Sequence, residues 1–250
     1  MSKTLAIIFN YNDKGMTERL YESLLPASTE DYDLFILDNG SRREEIATNT
    51  SVRLETNVYF GGAMNAAFKV YLHNKDKYDS MLMLNNDIFV GRNFIPSLRD
   101  RLFEGDFKSV APSVIQPEKA QCYWEHMLNW GAKETREARW LDNYCTMFHG
   151  DLIEEMKGFS ETLIFGWGID IYTGYVCSQK GWKLGVVDTN TIIHLGAHTY
   201  RDGRAHITLS EYEQNAFNGM NRFFAENGIT HVLDEFRNWG RTYRYEGETK

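Results

Sequence analysis

Asn85-Asn86-Asp87 directly follows the apolar run Ser80-Met81-Leu82-Met83-Leu84. A buried strand is expected to end there, leaving three oxygen-bearing side chains at its carboxyl tip. In open α/β sheets, ligands bind outside the carboxyl ends of the strands. A carboxylate in that place can hold Mg²⁺ or Mn²⁺, which in turn holds phosphate oxygens. Taken alone, the triplet fits a polar turn equally well, because Asn and Asp are common turn formers. Two other apolar runs end in the same way, Leu5 to Phe9 in Asn10-Tyr11-Asn12 and Leu34 to Leu37 in Asp38-Asn39-Gly40-Ser41. If these strands are parallel, the three clusters line one edge. Tyr11 can cover the face of a base. Asp38 can accept hydrogen bonds from a base N–H or a ribose hydroxyl. Asn57, Gly61, Gly62 and Asn65 suggest a segment where the backbone approaches a ligand closely.

Such clusters need strands to carry them and helices to space them. Leu5-Ala6-Ile7-Ile8-Phe9, Leu34-Phe35-Ile36-Leu37 and Met81 to Leu84 are continuous apolar runs, the pattern of strands buried on both faces. Val52 to Glu55 reads as a shorter strand, and a short helix is expected around Arg42 to Thr48. Met16, Leu20 and Leu24 recur at helical spacing, with Pro26 closing the segment. Met64, Ala67, Phe68 and Tyr71 share one face of a helix opened by Gly61-Gly62. This alternation predicts an α/β fold whose single, mostly parallel sheet has right-handed crossovers.

After Pro112 the pattern loosens into an aromatic, polar stretch holding Trp124, Trp130 and Trp140. A strand is expected over Asn143 to Phe148 and a short helix over Leu152 to Lys157. Gly166-Trp167-Gly168 reads as a flexible loop before a helix from Asp170 to Gln179, which Gly181 stops. Two strands follow, Trp182 to Val187 and Ile192-Ile193. Residues 208–227 read as helical, and Asn238 to Lys250 as a polar, mobile tail.

The 250 residues suffice for one sizeable core. The net charge of −8 argues against a general polyanion binder. Arg237, Arg241 and Arg244, with Trp239 and Tyr243, still keep a nucleic-acid acceptor in play. Cys122, Cys145 and Cys177 lack metal-ligand spacing and read as free thiols of a reducing compartment. Met1-Ser2-Lys3-Thr4 has no signal-peptide layout, and no run approaches the roughly 20 apolar residues of a membrane span. The expectation is a cytoplasmic protein, in the host cytoplasm if the source is viral. No G-x-G-x-x-G follows the first strand, which disfavours a nicotinamide enzyme.

Five segments, in order, carry a family resemblance. They are Ile7 to Asn12; Phe35 to Ser41; Asn57-Val58-Tyr59-Phe60-Gly61-Gly62-Ala63-Met64-Asn65; Leu84-Asn85-Asn86-Asp87; and Gly158-Phe159-Ser160-Glu161 through Phe165-Gly166-Trp167-Gly168-Ile169-Asp170 to Gly181-Trp182. Over residues 4 to about 200 the chain resembles the inverting family 2 glycosyltransferases of the GT-A fold, especially their rhamnosyltransferase-like branch. The resemblance implies a UDP- or dTDP-sugar donor contacted by Asn10, Tyr11, Asp38, Asn57, Gly61, Gly62, Asn65, Asn85, Asn86 and Trp167. It implies Mn²⁺ or Mg²⁺ held by Asp87, at the place of the family's D-x-D, with His194 in reach of the metal or diphosphate. It implies that Asp170 is the catalytic base. Asn85 stands where many members have the first Asp of D-x-D, and Ile169 stands where the family usually has Glu.

Domain bounds follow the same resemblance. Residues 1–205 form the catalytic domain, with a donor half over 1–112 and an acceptor half over 113–205. Residues 206–250 form a helical extension. The acceptor is a glycan or another hydroxyl-bearing molecule. Two alternatives are a sugar nucleotidyltransferase and a non-catalytic carbohydrate-binding relative. The first usually has a Gly-rich basic loop after its first strand, and Asn10 to Gly15 is not one.

Overall fold

The computed structural model describes residues 3–25, 31–116, 124–196 and 203–247. Pro26, Cys122, His198 and Arg201 lie outside them. The first apolar run forms β1 (Lys3–Asn10), buried along nearly its whole length, as a strand covered on both faces must be. Helix α1 (Lys14–Leu24) follows, its first turn capped by the Asp13 side chain, which accepts from the Met16 N–H. Strands β2 (Tyr32–Asp38) and β3 (Val52–Arg53) come next, then α2 (Tyr59–His73) and β4 (Tyr78–Asn85). Between β2 and β3 the expected helix is a single 3-10 turn, Arg43–Glu45.

The second half contributes β5 (Ile88–Val90), α3 (Phe94–Glu104), β6 (Phe107–Val114) and β7 (Arg136–Ala138). It continues through β8 (Cys145–His149), α4 (Gly150–Met156), α5 (Ile169–Lys180) and β9 (Lys183–His194). It closes with α6 (Leu209–Glu226) and α7 (Thr230–Thr242). Among the described residues the nine strands form one sheet, ordered β3-β2-β1-β4-β8-β6-β9-β5 with β7 pairing β9. Strands β1, β2, β3, β4, β6 and β9 run one way; β5, β7 and β8 run the other. The mostly parallel sheet flanked by helices is therefore as expected, with three inverted strands, of which β8 is inserted between β4 and β6.

Two expectations are corrected here. The two late strands are one, because β9 bulges between Val187 and Thr191 rather than stopping. The expected mobile tail is helical as far as Thr242. Val232, Leu233 and Phe236 are buried on one side of α7, and the Trp140 indole donates to the Phe236 carbonyl at 2.9 Å. Charged residues between these apolar positions hid the 3.6-residue period.

The β9 bulge turns Asp188 inward. Its Oδ1 accepts from Arg136 Nη2 at 2.7 Å, and its Oδ2 accepts from the Trp130 and Ala132 backbone N–H groups at 2.9 Å. Arg136 also donates to the carbonyls of His126 and Leu128. Both side chains are almost wholly buried and almost wholly satisfied. Removing one partner strands the other charge without water, at a cost of roughly 3–5 kcal/mol. Asp188→Ala is therefore expected to lower the thermal midpoint by many degrees in calorimetry. An unchanged midpoint would show that the pair does not hold the 124–132 loop.

Candidate active site

Strand direction brings the site residues together. Strands β1, β4 and β9 end at one edge in Asn10, Asn85 and His194. Strand β8 runs the opposite way, with Cys145 opposite Leu84, so Asp142-Asn143-Tyr144 arrives at that same edge. Strand β5 starts there after Asp87, with Ile88 opposite His194. The Asn85 N–H donates to the Tyr144 carbonyl at 2.9 Å, and the Leu195 N–H to the Asp87 carbonyl at 3.0 Å. These ends, the start of α5, and α6 and α7 enclose a cavity of about 730 Å³. Its size is that of a small-molecule site.

Of the residues expected from sequence, Asn10, Tyr11, Asn57, Asn85, Asn86, Asp87, Trp167, Asp170 and His194 line this cavity. Asp38, Gly61, Gly62 and Asn65 are not among its lining. Asp38 is fully buried beneath the floor, where its carboxylate accepts from Asn10 Nδ2 at 2.8 Å and the Ser41 N–H at 3.0 Å. A Cβ on Gly61 would come 2.2 Å from the Leu163 carbonyl oxygen, so this glycine allows the Glu161–Leu163 3-10 turn to pack on α2. Gly62 faces the Val58 side chain in the same way. Asn65 clamps Phe159, accepting from its N–H at 2.7 Å and donating to its carbonyl at 3.0 Å. All three belong to α2, and the Gly61 N–H donates to the Ile164 carbonyl at 2.8 Å, so the expected ligand-facing loop is a helix packed on its neighbours.

A hydrogen-bond chain beneath the floor ties the strand ends together. Asn86 Nδ2 donates to the Thr17 hydroxyl at 2.9 Å. Thr17 donates to Asn10 Oδ1 at 2.8 Å, and Asn10 donates to Asp38. Buried polar groups joined in this way hold one arrangement, since breaking any link strands a partner.

Asp87 and His194 form one station. The Asp87 Oδ1 lies 3.3 Å from His194 Nε2, and both side chains are nearly buried. Burial by itself would lower the His194 pKa, but the charges of Asp87 and Asp142 outweigh it and hold the imidazole above its ordinary value. The Tyr144 ring lies against His194 with centroids 4.7 Å apart. A carboxylate oxygen beside an imidazole nitrogen is a donor pair that Mn²⁺ accepts. Among the described residues no group of three or more His, Cys, Asp or Glu could hold a metal. A two-donor protein site still fits a cation that takes phosphate and water at its other positions.

Asp170 forms the other station, in the first turn of α5. Helix-start N–H groups favour the ionised form of a carboxylate, and the Ile171 N–H donates to Asp170 at 2.8 Å. Burial and the nearby Asp142 carboxylate outweigh those bonds, so its pKa is raised. Burial raises Asp142 as well, against the pull of His194. Trp167 stands between Gly166 and Gly168, whose φ angles of 97° and 90° favour glycine. The loop was expected to be flexible, yet Tyr212 of α6 donates to the Phe165 carbonyl at 2.6 Å and fastens it.

Asp142, Trp124, Tyr212, Arg237 and Arg241 also line the cavity, and sequence reading assigned none of them a firm place there. The Asp142-Asn143 pair before an apolar run was the available signal. Of the tryptophans in the stretch after Pro112, Trp140 is core, fully buried under Trp124. His126 is enclosed by Trp140 and Trp239 and pushed down to about 3 by burial. His149 lies away from the cavity against Phe103.

The profile of the family described as Glycosyl transferase family 2 matches residues 5–154. No curated protein matches the sequence. Among solved structures, GalNAc-T7 with UDP, GalNAc and Mn²⁺ aligns with 96% of this chain at 13% identity and a TM-score of 0.63. This chain spans 56% of that one, little more than half its length. S. aureus TarS 1-349 aligns with 89% of this chain and 72% of its own at 15% identity and a TM-score of 0.52. The same fragment in complex with UDP gives 14% identity and 0.51, with the same coverage. At such identities the likeness is one of fold.

Proposed function

The chain belongs to glycosyltransferase family 2, and from that membership we propose that it moves a sugar from a UDP- or dTDP-sugar to an acceptor hydroxyl, with inversion and with the aid of Mn²⁺ or Mg²⁺. The observation that carries this reading is the pair of stations in one cavity, Asp87 with His194 and Asp170 beside Asp142. UDP in the TarS fragment, and UDP with Mn²⁺ in GalNAc-T7, lend support to the donor and metal classes. Asn85-x-Asp87 suits the rhamnosyltransferase-like branch.

Asp87 and His194 would hold the cation, which when bound supplies Lewis-acid stabilisation of the charge on the departing diphosphate. Tyr11, Asn57 and Asn10 line the side where the base and ribose would lie. Asp170 takes the proton of the acceptor hydroxyl as its oxygen attacks the anomeric carbon. Attack from the face opposite the leaving diphosphate inverts the anomeric configuration. The raised pKa makes Asp170 a stronger base near neutral pH than an ordinary carboxylate. Asp38 serves by fixing Asn10 and Ser41 rather than by touching the donor. The donor half at 1–112, the acceptor half at 113–205 and the extension at 206–250 stay as proposed, with the extension forming part of the acceptor wall. The composition and the buried thiols of Cys145 and Cys177 suit a cytoplasmic setting; no helix among the described residues is long and apolar enough to cross a membrane.

Incubation with a panel of UDP- and dTDP-sugars and MnCl₂ tests the reaction. Release of free nucleoside diphosphate is expected, and chelator abolishes it. Pyrophosphate release would instead establish a nucleotidyltransferase. Donor binding without any release would establish a carbohydrate-binding relative.

A further inference from the structure

Arg237 and Arg241 stand one turn apart on α7, so both point to the same side of the helix. That side is the cavity wall. Among the described residues neither guanidinium makes a hydrogen bond or an ion pair. Arg241 lies over the Trp124 ring, 5.3 Å from its centroid, and Trp124 also lines the cavity. Burial and the charge of Arg241 push the Arg237 guanidinium below its ordinary value, which places two like charges close together. In a chain of net charge −8, two adjacent cations that form no ion pair among the described residues are an unfavourable arrangement until an anion joins them.

The helix cannot turn these arginines away. A Cβ on Gly240 would come 2.9 Å from His126 Nδ1 and from the Trp140 ring, so α7 seats its glycine on those side chains. The Trp140 bond to the Phe236 carbonyl fixes the same register. The acidic groups that Arg237 feels are Asp170 and Asp234. Asp87 is instead felt by Arg19 and His194. Arg237 thus stands within the field of Asp170, and Arg241 lines the same cavity.

We infer that the acceptor is a glycan bearing a phosphate or carboxylate, which Arg237 and Arg241 hold while its hydroxyl faces Asp170. This rests on the glycosyltransferase reading above. Guanidinium forks suit both anions, since each can accept two parallel N–H bonds. Trp124 offers the accompanying sugar an apolar face.

The test uses the full chain saturated with UDP and Mn²⁺, titrated with methyl glucoside 6-phosphate, methyl glucuronide and neutral methyl glucoside. The anionic probes are expected to bind about tenfold more tightly than the neutral one, as one charge-assisted contact provides. The double variant Arg237→Gln, Arg241→Gln is expected to lose that preference while keeping UDP affinity within about twofold. Equal binding of neutral and anionic probes by the native chain would overturn the inference alone. A variant that loses UDP affinity would overturn it too, by assigning the arginines to the donor. Tighter binding of a short oligothymidylate than of either sugar probe would replace the glycan with a nucleic acid. A native chain that binds neither UDP nor dTDP would remove the parent reading, and the inference with it.

Discussion

Sugar transfer by Asp170→Asn is expected to fall by roughly 10²- to 10⁴-fold, the usual span for lost acid–base assistance, while UDP affinity stays nearly unchanged. Asn keeps the shape of the side chain and caps a helix start as well as Asp does. It cannot take a proton. A residue serving only the helix start would therefore leave turnover near normal, and that outcome would pass the base role to another group. The pH dependence offers a second readout. Burial and Asp142 raise the Asp170 pKa, so the active ionised form appears only above the ordinary carboxylate range of about 4. Transfer by the native chain then climbs with pH through that higher window.

Stability should run the other way. A folded-state pKa above the unfolded one means that the folded chain holds the proton more tightly. The resulting stabilisation is full below the unfolded pKa, near 4, and is lost as pH rises through the raised folded value. Asp170→Asn removes that loss, so its thermal midpoint at pH 8 is expected to lie above that of the native chain. A gain in stability together with the loss of transfer is what a buried carboxylate kept for catalysis predicts. A lower midpoint at that pH would contradict the raised pKa.

Asp87→Ala is expected to abolish the gain in UDP affinity that Mn²⁺ gives. The side chain pairs with His194 Nε2 at 3.3 Å, and its removal leaves one protein donor where there were two. Loss of outer-sphere partners already costs roughly 10- to 100-fold in metal affinity, so loss of a direct ligand should cost at least the upper end. Calorimetry of UDP binding with and without MnCl₂ measures this. Full transfer by the native chain in excess chelator would remove both the metal and its two ligands from the mechanism.

The contrast between Asp87 and Asp38 shows how far a strand-end cluster can be trusted. Both follow apolar runs, and both arrive at the same edge. Asp87 reaches the cavity because β5 starts immediately after it and turns it toward His194. Asp38 points beneath the floor, where Asn10 and Ser41 use its oxygens. The choice depends on which neighbour needs an acceptor, and that neighbour lies 28 positions away in the chain for Asn10.

By itself the sequence determined β1 to β4 and β8, their order of appearance and the residues at the carboxyl tips of β1, β2 and β4; β5, β6 and β7 it did not mark. Apolar runs and turn residues are local signals, and a run such as Leu5 to Phe9 has few other ways to bury itself. It also placed Asp170 at a helix start, because the glycines on either side of Trp167 and the stop at Gly181 are local signals as well. Only the tertiary structure decided the rest. Asp142 joined the site because β8 runs antiparallel to β4, so the beginning of one strand meets the end of the other. Gly61, Gly62 and Asn65 left it because α2 needed them against Val58, Phe159 and Leu163. Arg237 and Arg241 entered because Gly240 seats α7 on His126 and Trp140, over a hundred positions back along the chain for His126. A local pattern fixes what an element is; which of its faces meets a ligand is fixed by packing against partners that are distant in sequence.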